Sequence, residues 1–224
     1  MAKAKSKDLG TNILYRVGLA IMAAAVPFAA FFSKIFYAVV DSAALKIISS
    51  LQGKTDDNGS TEFSYSLKEI IQMFGENSSQ SQSSDTLSKV WESLSDIHSA
   101  VICTAIFFVL ALLTALTIFI FNIFSKNRFV TLCLSGAGAL FLIAMLISFN
   151  AAAAPIIDGT ISLSTLMGSS LFGSSLLGGL MSYIAEVSVL RISSAWYIML
   201  FLFIGIIVWS GAYLLIESGE KKAK

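Results

Sequence analysis

Charge is scarce in this chain. Only 13% of its 224 residues are Asp, Glu, Lys or Arg, against 56% hydrophobic residues. Globular domains carry about 25% charged residues. Half that share, with a mean hydropathy of +0.79, excludes most water-soluble classes. Histidine occurs once, as His98. A single imidazole makes no metal site, and HExxH, CxxC and GxSxG are all missing. The two cysteines, Cys103 and Cys133, both lie in apolar runs. They support no disulfide framework and read as small apolar packing residues. There is no glycine-rich phosphate loop, and the short clusters of positive charge do not suit nucleic acid. No catalytic constellation remains, so the chain reads as non-enzymatic, with no cofactor and no metal.

What the sequence does have is apolar length. Residues 101–124 and 129–149 are uncharged runs joined by Ser125-Lys126-Asn127-Arg128. Each reaches the ~20 residues a helix needs to cross a ~30 Å hydrocarbon slab. A joint this short makes the two helices antiparallel neighbours. Its Lys126 and Arg128 set the topology, because short basic loops stay on the cytoplasmic face. A first span follows a basic start (Lys3, Lys5, Lys7) and runs from Val17 to Phe32, bracketed by Arg16 and Lys34. Those two can snorkel to opposite interfaces. Pro27 falls mid-span and predicts a packing kink. The basic start and small residues also fit a cleaved signal peptide, but the apolar region runs on to Val40, which favours an anchor. A fourth span covers 195–216, with Trp196, Tyr197, Trp209 and Tyr213 near its ends as interface anchors. Lys221 and Lys222 follow it and, with Lys224, place the tail inside.

The connections are less regular. Phe36, Val40, Ala44, Ile47 and Leu51 recur every three or four residues, which predicts that the first helix continues beyond the membrane to about Ser50. Residues 61–66 (TEFSYS) alternate polar and aromatic, as a short strand would. Residues 67–74 read as amphipathic helical turns, 76–86 as a polar loop, and 87–98 as a helix leading into the second span. From Asp41 to Asp96 there are nine acids and four lysines, so this segment belongs outside. Residues 160–180, rich in Ser, Gly and Leu, suit an interfacial or re-entrant element better than a span.

The expected fold is therefore an all-α integral membrane protein with four transmembrane helices and both termini cytoplasmic. It has a larger first and a smaller second extracytoplasmic segment, with a short β element admitted in the first. The divisions are a basic segment at 1–12, a first span with helical extension at 13–50 and a first outer loop at 51–98. A second span at 99–125, a turn at 126–128 and a third span at 129–150 follow. The second outer segment covers 151–193, the fourth span 194–217 and the tail 218–224. This topology resembles the claudin-type tetraspan class. The cysteine pair and tryptophan motif of that class are absent, and Trp91 stands alone, so no residue roles carry over.

Helix packing is expected at Gly136, Gly138, Pro27 and Gly205, since small residues let membrane helices approach closely. No ionisable residue lies inside the last three spans, which argues against an ion-coupled carrier within one chain. The polar groups at depth, such as Thr114 and Thr117, are expected to bond backbone rather than substrate. The sequons at Asn58 and Asn77 and the dilysine arrangement at Lys221-Lys222 would matter only in a eukaryotic host. The function expected is that of a structural, assembly or accessory subunit in a plasma membrane. Its partners are the lipid bilayer and copies of itself (a homo-oligomer) or other membrane proteins. The alternative is a pore-forming or transport subunit of an oligomeric complex, with residues 160–180 lining a path.

Overall fold

The computed structural model describes residues 2–42, 60–69, 95–124, 127–160 and 185–222. In chain order these form helix α1 (Ala2–Phe32), strands β1 (Lys34–Ser42) and β2 (Ser60–Ser66), and a 3-10 turn (Ser95–Ile97). Helices α2 (His98–Phe124) and α3 (Arg128–Ile157), strand β3 (Ala185–Ile192) and helix α4 (Ser194–Lys222) complete them. The chain is mostly helical. Four stretches, Ile13–Phe32, Ser95–Phe124, Arg128–Ile157 and Ser194–Ile216, are helical and long and apolar enough to cross a membrane.

Two expectations need correction. The expected helical extension is not formed over its described part: α1 stops at Phe32 and Lys34–Ser42 is a strand. The mostly helical fold thus carries strands from both connecting segments, where one short β element in the first was expected. The three- and four-residue spacing of Phe36, Val40 and Ala44 was one pattern in this stretch. Ile35, Phe36, Tyr37, Val39 and Val40 also make it rich in β-branched and aromatic residues, which favour strands. Partners on both sides decide the matter, because β1 is the centre of an antiparallel sheet ordered β2-β1-β3. Residues 43–50 lie outside the described residues, as do the expected loop at 76–86 and all of 161–180. Of the expected helix at 87–98, only its last residues are described, as the 3-10 turn and His98.

β2 lies where the polar–aromatic alternation of 61–66 indicated. Ala38 faces Phe63 of β2 and Leu190 of β3, and Val39 faces Glu62 and Val189. The β3 register slips between Val39 and Val40, so Ser188 is an extra residue in the ladder, a bulge that strengthens local twist. The α1–α2 and α3–α4 connections are thus hydrogen-bonded into one sheet.

Residues 151–157, expected in the second connecting segment, instead continue α3. The run Ala151–Ala154 has high helix propensity, and Pro155 sits in the last turn, where it removes only one backbone bond. Asp158 N donates to Ala154 O at 2.9 Å, and Gly159 ends the helix at φ +73°, the left-handed stop that glycine adopts without a Cβ penalty. At the other end of α3, Asn127 Oδ1 accepts from Phe129 N at 3.2 Å and caps the helix.

The chain divides into two compact units. The helical unit comprises Met1–Phe32, Ala105–Met145 and Ser194–Lys224. Its interior is filled by Leu19, Val26, Ile118, Leu142, Met145, Met199, Phe203 and Ile206, all fully or almost fully buried. Ala23, Ala111 and Ala115 bring the backbones close, and α1 packs against α4. The second unit, Ser33–Thr104 with Leu146–Ser193, contains the sheet. Phe36 stacks on Phe149 at 5.4 Å between ring centroids, and Ile35 and Ile192 are buried.

Candidate functional site

One cluster of polar and aromatic groups in the helical unit forms where Tyr15 of α1, the start of α3 and Tyr213 of α4 meet. The Arg128 guanidinium carbon lies 4.9 Å from the centre of the Tyr15 ring and 5.5 Å from that of Tyr213. The two rings are 4.9 Å apart. Arg128 Nη1 also donates to the Tyr213 carbonyl at 3.1 Å. A planar guanidinium can stack on a ring and donate in its own plane at once, which an ammonium cannot. Arg128, expected to act through its charge alone, is therefore tied to two other helices. Tyr15 Oη donates to Ser210 Oγ at 3.5 Å. Asn122 Nδ2 of α2 donates to the Arg16 carbonyl of α1 at 2.7 Å.

The expected interface anchors divide. Tyr197 is 62% exposed and stands outward. Trp196 is buried, and its Nε1 donates to the Leu142 carbonyl at 2.8 Å. Tyr213 is buried in the cluster above. The Trp209 ring lies against Gly18, whose added Cβ would meet Trp209 Cζ2 at 3.1 Å. Its indole N–H is buried and, among the described residues, has no hydrogen-bond partner. Amphipathic rings that could face headgroups are used here between helices.

The expected packing residues also separate. A Cβ on Gly138 would sit 2.3 Å from Cε1 of the fully buried Phe203, so α3 and α4 meet there at glycine distance. Gly205 approaches Met22, with Sδ 3.3 Å from an added Cβ. Gly136 has nothing within 4 Å, and Pro27 is exposed on α1. Lys126 lies outside the described residues, and Lys221 and Lys222 close α4. Tyr15, Gly18 and Ser210 were not anticipated. A polar or small residue within or beside an apolar run was the available signal, but nothing in sequence order pairs them.

Three other hydroxyls bond their own helices. Thr114 Oγ1 donates to Leu110 O at 2.7 Å, Ser135 Oγ to Leu132 O at 2.9 Å and, at a more exposed position, Thr117 Oγ1 to Leu113 O at 2.8 Å. Cys103 and Cys133 are free and exposed rather than packed.

A second cluster lies in the sheet unit. Ser66 and Glu69 form a capping box: Ser66 N donates to Glu69 Oε2 at 2.6 Å, and Glu69 N donates back to Ser66 Oγ at 3.3 Å. Lys34 Nζ joins it, 2.7 Å from Glu69 Oε1 and 3.1 Å from Ser64 O. Lys34, and then Ser66, hold the Glu69 carboxyl down to about 2. On the neighbouring strand pair, Arg191 of β3 lies over the ring of Tyr37, 4.9 Å from its centre.

In the second cluster Ser66 Oγ also donates to Glu69 Oε2 at 2.9 Å, a bond within the capping box. Among the described residues, no group of three His, Cys, Asp or Glu side chains could hold a metal ion. Both clusters act as ties between elements. The chain matches no protein-family model, no curated protein and no solved structure.

Proposed function

We propose that this chain is a non-enzymatic, four-span membrane protein that works as a structural or accessory subunit, through helix packing and its extracytoplasmic segments. In this reading both termini and the Lys126–Arg128 joint face the cytoplasm, and the membrane is the plasma membrane. Its partners are copies of itself or other membrane proteins. The observation that carries the reading is the sheet. Strands from both connecting segments are hydrogen-bonded into one element, which gives a subunit a shaped surface for protein contact. The internal hydrogen bonds of Thr114, Asn122, Ser135 and Trp196 agree with it.

Native-size analysis in mild detergent tests the reading. The expected outcome is an oligomer or a complex with a co-purifying membrane protein; a strict monomer that brings down nothing would overturn it. The filled interior of the helical unit speaks against a conduit through one chain. Solute flux in liposomes is accordingly expected to be absent for ions and small solutes.

A further inference from the structure

We draw no further inference here: the strongest candidate, the Tyr15–Arg128–Tyr213–Trp209 side-chain cluster at one end of the helical unit, is accounted for by the ties between helices already described, and nothing in the structure specifies an outside ligand for it.

Discussion

At the scale of single residues, the contacts that matter join groups remote in sequence. Gly138 is the tightest. A methyl group there would overlap the Phe203 ring, which is fully buried and has nowhere to swing. Overpacking of this kind costs about 1–3 kcal/mol. Gly138→Ala is expected to lower the unfolding midpoint in detergent, and Phe203→Leu in the same chain to recover part of the loss. Gly136→Ala, in open space, should be neutral or gain up to ~1 kcal/mol from helix propensity. Equal losses at both glycines would show that α3 and α4 do not meet as described. Arg128 supplies a second case. Arg128→Gln removes the stacked cation and should cost about 1–2 kcal/mol. Arg128→Lys keeps the charge without the planar fork, and should recover less than half of that loss in the same melting experiment. Full recovery by lysine would leave charge alone as the role of this position.

At the scale of elements, the capping box fastens a helical turn to the start of β1 through Lys34. Glu69 is ionised in this arrangement, and its carboxyl lies well below its ordinary value of 4.5, at about 2. A depressed carboxyl pKa stabilises the fold above the ordinary value, and the gain is lost as pH falls toward the folded one. The protection of the Ser66 amide against hydrogen exchange is therefore expected to be full above pH 4.5 and to decline between pH 4.5 and about 2. In Glu69→Gln it should be lower and insensitive to pH across that window. The Lys34 and Glu69 side chains are 41% and 40% exposed, so added salt should weaken the effect. A wild-type profile as flat as the variant's would remove the ion pair from the account.

At the scale of the whole molecule, the sheet links two connections that are far apart along the chain. Val39 and Val189 are direct partners across β1 and β3. Directly opposed Cα atoms on antiparallel strands lie ~4.5–5.5 Å apart, within disulfide reach. With Cys103 and Cys133 replaced by alanine, Val39→Cys with Val189→Cys is expected to oxidise to an internal disulfide. Proteolysis and non-reducing electrophoresis would detect the link. Val39→Cys with Leu190→Cys, one position out of register, should oxidise far more slowly. Equal yields from the two pairs would mean that the two segments are not held in this sheet.

The four helices long and apolar enough to cross a membrane were legible because each is a local quantity: a run of uncharged apolar residues either reaches membrane length or does not. The strand at 60–66 was legible for the same reason, from alternation within itself. The stretch 34–42 was not, since its residues suit a helical face and a strand alike, and only β2 and β3 on its two sides choose. Trp196, Trp209 and Tyr213 carry an aromatic body and a polar tip that serve a headgroup or a neighbouring helix equally well, and composition cannot separate the two. Hydropathy and length thus settle how many helices could enter a membrane. Which glycine admits a neighbour, which arginine is caged by rings and which strands share a sheet depend on distances between residues remote in the chain. Those distances come into being only when the helices pack and the strands pair.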